Sequence, residues 1–405
     1  MCIRDRIITS LAWLGIKHDG DEYIQSKNIS KHVTVAEELL KKGFAYKCYC
    51  SEEEINEQKE KCKKQGMPYV YNRKWRDAKD LKIPEGVKPV LRFKSKISGN
   101  TIIKDLVQGD RNISNSTIED FVILRKDNTP TYQLSATVDD HEMKITHVIR
   151  GDDHLANTPK QILVYKALGL NTPIFAHLPM ILGSDKKRLS KRHAATNVQE
   201  YKDKGFTPKV ILNYLSLLGW NPDSEKEIFD QNELINSFEF KQVQKKSAVF
   251  DEKKLLWISQ QHLSEMSVRD LMNEIYTLNP EWGDGLEWDY LKEVVKLIKD
   301  RSKTITEITS MSEIFFKDKL EYDIDLLNKT FNDKSIAIIK DFQSALSSIE
   351  DWSRVEIEKI FEDIMEQHEV AIGQVMKPVR VAFSCIPFGP WIFDLILFRI
   401  LILRF

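Results

Sequence analysis

An α/β fold that passes into an all-helical C-terminal region is what this sequence predicts, on three observations. Ile145-Thr-His-Val-Ile-Arg150 is a β-branched run of strand length, followed by the polar Gly151-Asp-Asp-His-Leu155 and then by a helical pattern from Thr158 to Leu168. A second apolar run, His177-Leu-Pro-Met-Ile-Leu182, leads through a charged loop into another helical pattern from Thr207 to Leu218. From about Leu263 to Arg380 the chain is charged and helical in period, with Leu291, Val294, Val295 and Ile298 sharing one face.

Each element has a local cause. Between Ile7 and Tyr49 the pattern is amphipathic and helical, with Leu11, Leu14 and Ile16, then Val33, Val35, Leu39 and Leu40, separated by the turn-like His18-Asp-Gly-Asp21. Thr158-Pro-Lys-Gln161 reads as a capping box with proline in the first turn, and Gly169 closes that helix. In the next helix Thr207 is the expected cap, Pro208 opens the first turn and Gly219 stops it, with Val210, Ile211, Tyr214, Leu215 and Leu218 on one face.

Composition bounds the function. At 405 residues, 42% hydrophobic and 30% charged, the chain is long enough for two or three domains and is not that of a disordered protein. A formal net charge of −1 means that any nucleic-acid binding has to come from local patches. The five cysteines, Cys2, Cys48, Cys50, Cys62 and Cys385, are too few and too irregular for a disulfide framework, which fits a reducing compartment and a cytoplasmic location. Met1 to Arg6 brings charge without the apolar core of a signal peptide. Trp391 to Phe405 is strongly apolar, but its 15 residues fall short of the roughly 20 that span a bilayer, and Asp394, Arg399 and Arg404 interrupt it. It reads as a core helix with an anomalous tail; no membrane partner is expected.

Chemistry concentrates in three places. In Gly183-Ser-Asp-Lys-Lys-Arg-Leu-Ser-Lys-Arg-His193, five of the seven residues from Lys186 to Arg192 are basic. A glycine-started loop with clustered ammonium and guanidinium groups suits a polyphosphate, although a basic run equally suits a solvated face. From Lys59 to Lys104 there are 14 Lys or Arg against four acids, interleaved with Tyr69, Tyr71, Trp75 and Phe93. That combination fits a nucleic-acid backbone with an unpaired end or, equally, a lysine-rich surface. Arg150 stands at the carboxyl end of a strand, where α/β folds place ligands. It can hold a substrate carboxylate or make a structural ion pair with Asp152 or Asp153.

These blocks together resemble bacterial-type glutamyl-tRNA synthetase, a class I aminoacyl-tRNA synthetase. The likeness runs from about Ile7 to Arg380 and rests on ordered motifs: Tyr46-Lys-Cys-Tyr-Cys50, Val90-Leu-Arg-Phe-Lys94, Asp120-Phe-Val-Ile-Leu-Arg125, Pro130-Thr-Tyr132, Val138-Asp-Asp-His141, His147-Val-Ile-Arg-Gly151, His177-Leu-Pro-Met180, Leu189-Ser-Lys-Arg-His193, Asn213-Tyr-Leu215, Leu218-Gly-Trp220 and Lys254-Leu-Leu-Trp257. The resemblance implies an incomplete Rossmann-type nucleotide-binding domain with an α+β insertion, followed by an all-α anticodon-binding domain. Its expected divisions are 1–50 and 129–182 for the catalytic halves, 51–128 for an insertion that binds the tRNA acceptor end, 183–262 for the signature loop and stem-contact region, and 263–405 for the helical domain. The helical domain separates it from the glutaminyl relative, whose corresponding region is a β-barrel.

The same resemblance implies the site. Tyr132 and Arg150 line the amino-acid pocket, Asp153 lies near the adenosine, and Arg188, Ser190 and Lys191 form the phosphate loop, with Lys191 also contacting ATP. The implied substrates are ATP with Mg2+, L-glutamate and tRNA(Glu), with tRNA(Gln) as an alternative partner, and a monomer is expected. The reaction passes through an adenylate and needs no protein nucleophile, and none of His141, His147, His154, His177 and His193 is given a proton-transfer role. Ahead of Ile7 the family carries a first strand and a His-Ile-Gly-His signature that this sequence lacks, so the chain as written is expected not to activate glutamate and to act as a noncatalytic tRNA-binding fragment. Cys48 and Cys50 stand where some members begin a zinc site, with Tyr71 and Asp77 at later positions, but Trp75 replaces the expected third cysteine and Cys62 lies at unmatched spacing. No bound metal is expected.

Overall fold

The computed structural model describes residues 3–67, 69–78, 80–189, 197–317, 321–350 and 352–403. Helices α1 (Ile3–Trp13) and α2 (Ile29–Lys41) come first. Leu14 and Leu39 are buried as the apolar period requires, whereas Leu11 and Ile16 are 40% and 42% exposed, so the first amphipathic face is only partly covered.

The next segment comprises β1 (Ala45–Cys48), which falls in the expected first catalytic half, then helix α3 (Glu52–Lys64), β2 (Val90–Phe93), the hairpin of β3 (Asn100–Ile103) with β4 (Arg111–Ser114), and β5 (Val122–Leu124). Its three-stranded antiparallel sheet runs β1, β2, β5. Ser51 caps α3 in a complete capping box with Glu54. The aromatics that the sequence offered as stacking platforms are core instead. Tyr71 and Phe93 are buried, while Tyr69 and Trp75 pack on Tyr46, Cys48, Cys50 and Tyr71. Three of the arginines are likewise spent inside. Arg73 and Arg76 donate to the buried Asp120 at 3.3 and 2.8 Å, and the guanidinium of Arg92 lies 3.7 Å from the centre of the Tyr71 ring. The exposed positive charge of this region is therefore carried mainly by lysines.

A strand–helix–strand unit follows helix α4 (Tyr132–Glu142). Strand β6 (His147–Gly151) pairs in parallel with β7 (Ile174–Leu178), connected through a 3₁₀ turn (Asp152–Asn157) and helix α5 (Thr158–Leu168). Gly169 ends α5 in the left-handed conformation, as its sequence position implies. On its far side β7 makes a bridge from Phe175 to Asp105, in the segment that follows β3. Among the described residues nothing pairs with the other edge of β6, and Ile149 is 52% exposed. The apolar run from His177 to Leu182 is not one strand: it breaks at Pro179 and Met180, and Ile181–Leu182 forms β8.

Helices α6 (Val198–Asp203), α7 (Pro208–Leu217) and α8 (Gln231–Ser237), strand β9 (Ala248–Val249) and helix α9 (Glu252–Glu265) form the next block, with β9 parallel to β8. Val210, Ile211 and Tyr214 are buried on the predicted face of α7; Leu215, assigned to the same face, is 39% exposed.

The rest is helical: α10 (Val268–Leu278), α11 (Trp288–Ile298), α12 (Ile305–Phe316), α13 (Ile324–Thr330), α14 (Asp333–Ser347), α15 (Arg354–His368), α16 (Ile372–Ser384) and α17 (Ile392–Leu403). Leu291, Val294, Val295 and Ile298 of α11 are all buried in one core. The apolar C-terminal run is part of that core: Ile392, Leu395 and Ile396 of α17 are fully buried in it, so this tail is an ordinary packing element. No helix of the described residues is long and apolar enough to cross a membrane.

Candidate active site

The parallel register of β6 and β7 sets Arg150 beside His177, and the site grows from that pairing. Arg150 donates from Nε to Nε2 of His177 (3.2 Å), from Nη1 to the hydroxyl of Tyr132 (3.0 Å), and from Nη2 to Oγ1 of Thr158 (2.9 Å) and Oε1 of Gln161 (2.8 Å). Thr158 and Gln161 are buried in the first turn of α5, and Tyr132 opens α4, so two helix starts and two strands converge on one guanidinium. The structure thus brings Tyr132 and Arg150 together. It does not form the ion pair of Arg150 with Asp152 or Asp153 that the sequence left open: all four of these acceptors are uncharged side chains when His177 is neutral.

His177 is held neutral. Burial pushes its pKa below the usual histidine value, Asp105 pulls it back, and the Arg150 charge pushes it down again. Asp105, also fully buried, accepts from Nδ1 of His177 at 2.5 Å and from the backbone N–H groups of Val107, Gln108 and His177. Burial alone would raise its pKa, but these hydrogen bonds hold it below the usual carboxylate range.

The capping box expected at Thr158 is not formed. Asn157 precedes the helix in αR geometry without a side-chain cap, because Thr158 and Gln161 turn to Arg150 instead of to the helix end. Thr207 likewise occupies the N-cap position of α7 without capping it. Gly151 has ordinary dihedral angles, and a Cβ there would lie 2.7 Å from Oδ1 of Asp153, so a side chain at the strand end would require the Asp153 carboxylate to rotate away.

The first half of the basic segment is a tight turn rather than an open loop. Gly183 and Lys187, and Ile181 and Leu189, are joined by backbone hydrogen bonds, with Lys186 in the left-handed region at the bend. The turn carries Arg188 to within 3.5 Å of Asp153, so these two expected residues also meet, as an exposed ion pair beside the Arg150 cluster. Ser190 and Lys191 lie outside the described residues.

Zinc does not fit the cysteine pair. The Tyr71 hydroxyl lies 3.3 and 3.5 Å from the thiols of Cys48 and Cys50, and Nε of Arg92 donates to Cys48 at 3.4 Å. A fixed cation against one sulfur disfavours a second, and burial raises the pKa of both Tyr71 and Cys50. Asp77 is engaged with Lys94 at 2.6 Å, and Trp75 packs on Tyr49. Among the described residues no three His, Cys, Asp or Glu side chains are grouped for a metal.

With this geometry established, comparison with known proteins is decisive. A family profile described as tRNA synthetases class I (E and Q), catalytic domain, matches residues 3–257, and one described as anticodon binding domain matches residues 264–398. The chain belongs to the glutamate–tRNA ligase family of class I synthetases. It is 43% identical over 396 residues to a glutamate–tRNA ligase of Pelagibacter ubique, covering 97% of this chain and 84% of that protein. A glutamate–tRNA ligase of Thermodesulfovibrio yellowstonii is 39% identical, with 97% and 84% covered. The crystal structure of a glutamate tRNA ligase from Elizabethkingia meningosepticum, in complex with its amino acid, superposes with a TM-score of 0.78 at 27% identity over 98% of this chain and 86% of that one. The family is one of enzymes, and the α/β catalytic part followed by a helical anticodon-binding part is the architecture described above.

Sequence reasoning missed Asp105, His177, Thr158 and Gln161. A signal for His177 existed, since two parallel strands joined by one helix place their carboxyl-end residues side by side. For Thr158 and Gln161 the capping pattern concealed the other use of the same side chains.

Proposed function

We propose that the protein joins L-glutamate to tRNA(Glu) in two steps. The α-carboxylate of glutamate attacks the α-phosphorus of ATP, bound with Mg2+, and pyrophosphate leaves; a terminal ribose hydroxyl of the tRNA then attacks the mixed anhydride and AMP leaves. The observation that carries this reading is the Arg150 guanidinium, oriented by four neutral acceptors and left with its full charge for an anionic ligand. A glutamate carboxylate supplies that anion, whereas the neutral side chain of glutamine leaves a cation unpaired. Tyr132 borders the same pocket. Asp153 is assigned to the adenosine side, and Arg188 with Ser190 and Lys191 to the phosphates, where clustered cations stabilise the departing pyrophosphate. Positioning and charge stabilisation do the catalytic work, so no protein nucleophile is required.

The regions take the roles expected of them: residues 51–128 receive the acceptor end through their lysines, 183–262 the phosphate turn and stem, and 263–405 the anticodon. The protein acts as a monomer. ATP-dependent attachment of labelled glutamate to purified tRNA(Glu) tests the reading, and tRNA(Gln) in parallel tests the wider substrate range. A second reading, tRNA binding without charging, is favoured by the edge of β6 that has no strand partner among the described residues, where Ile149 is exposed. Retained tRNA binding, steeply weakened by salt, with no charging would support it over the first.

A further inference from the structure

We propose that Asp105 and His177 are a positioning pair that sets the orientation of the Arg150 guanidinium by fixing which nitrogen of His177 carries the proton. Neither residue is expected to touch the reacting atoms. The proposal rests on the reading of Arg150 as the holder of a substrate carboxylate.

The geometry leaves one tautomer. Nδ1 of His177 faces a carboxylate oxygen of Asp105 at 2.5 Å, so Nδ1 carries the hydrogen. Nε2 faces Nε–H of Arg150 at 3.2 Å and the hydroxyl of Thr158 at 3.0 Å, so it is the acceptor. The alternative tautomer would set N–H against N–H at Arg150, and the protonated ring would add a like charge there. Both the His177 ring and the Asp105 carboxylate are fully buried, so water replaces neither partner. The charged and titratable groups that face the ring are Asp105, Arg150 and His154.

The pair also reaches beyond the pocket. The other oxygen of Asp105 accepts from the backbone N–H groups of Val107, Gln108 and His177, and the Gln108 side chain donates to the carbonyl of His177. One carboxylate therefore pins the segment that follows β3 of the insertion to β7 and, through the ring, to Arg150. Displacement of the insertion and the aim of the guanidinium are coupled through these bonds.

Asp105→Asn is the informative change. One amide oxygen is needed for the three backbone donors, so the NH₂ group faces Nδ1, which must become the acceptor and send the proton to Nε2. The test is nitrogen NMR of the full chain labelled at histidine and arginine, together with calorimetric titration of L-glutamate. In the unmodified protein His177 is expected as the Nδ1–H form at neutral pH, with a slowly exchanging Nε–H resonance for Arg150. In Asp105→Asn the proton moves to Nε2, the Arg150 resonance broadens or exchanges, and glutamate affinity falls about tenfold. His177→Gln, whose amide oxygen can accept from Arg150, keeps the Arg150 resonance, whereas His177→Leu loses it. These two variants decide the matter if Asp105→Asn does not fold. An Nε2–H tautomer in the unmodified protein overturns the proposal, as does titration of His177 near 6.5 or an Arg150 resonance indifferent to Asp105→Asn. Failure of the unmodified protein to bind glutamate would sink the pocket reading while leaving the tautomer and the arginine resonance to judge the pair.

Discussion

The strand–helix–strand unit that carries the candidate site and the helical C-terminal region are held together by different means. In the helical region Leu271, Val294, Ile298, Ile308, Ile357, Val375 and Val379 are all fully buried in one dry core. Five of its helices begin on side-chain caps, Ser267 for α10, Thr304 for α12, Asp323 for α13, Asn332 for α14 and Ser353 for α15, while α11 and α16 do not. Helices α4 and α5 at the site have no side-chain cap, and the polar groups of their first turns point at Arg150. The comparison teaches that the same residue types are spent on stability in one region and on orienting a charge in the other.

Substitutions can break this contrast, and the largest effect is expected just outside both regions, in the antiparallel sheet that precedes the polar unit. Asp120 is buried and accepts from Arg73, Arg76, Tyr46 and the backbone of Ser95. Asp120→Ala leaves buried donors and arginine charge uncompensated and is expected to cost about 3–5 kcal/mol in denaturant unfolding. Leu271→Ala in the helical core should lose about 2–5 kcal/mol by the same measurement, through transfer and cavity terms alone and with no change in glutamate affinity.

Acid should separate the regions further. His177 is buried and His262 half-buried, both with pKa values lowered chiefly by desolvation, so the unfolded chain takes up protons before the folded one. Stability is therefore expected to fall as pH drops below about 6.5, the ordinary histidine value. Urea unfolding at about pH 7.5 and about pH 5.5 checks this, and His177→Gln should flatten the difference. A smaller effect is expected at Tyr132, which is 43% exposed and whose hydroxyl accepts from Arg150 while its ring lies against His154. Tyr132→Phe should reduce glutamate affinity roughly three- to tenfold and leave the melting temperature unchanged. Smallest of all, Arg188→Ala removes an exposed pair with Asp153 and should not move the melting temperature, while slowing any glutamate activation.

Much of the scaffold was legible in the residues because it rests on periodicity and end signals. The face of α11, the glycine stop of α5 and the strand that carries Arg150 follow from local pattern, whereas its partner β7 begins at Ile174, ahead of the apolar run read as a strand. What was not legible depends on partners distant in sequence. Tyr71 and Trp75 sit among lysines yet close a small core, because β1 and β2 bring Cys48 and Val90 beneath them, and Phe93 is buried in a separate core against Phe121. Thr158 and Gln161 satisfy a capping pattern, but a guanidinium at the strand end offers a stronger, charge-assisted bond than the helix terminus does. Arg150 and Tyr132 were found through motif resemblance, and the acceptors that aim the guanidinium emerged only from the fold.

The most direct test of the account is the calorimetric comparison of L-glutamate with L-glutamine on the unmodified protein and on Arg150→Gln. The account predicts that glutamate binds about tenfold tighter or better than glutamine and that Arg150→Gln abolishes the preference. Equal affinity for the two amino acids, or a preference that survives the substitution, would contradict the assignment of Arg150 to a substrate carboxylate.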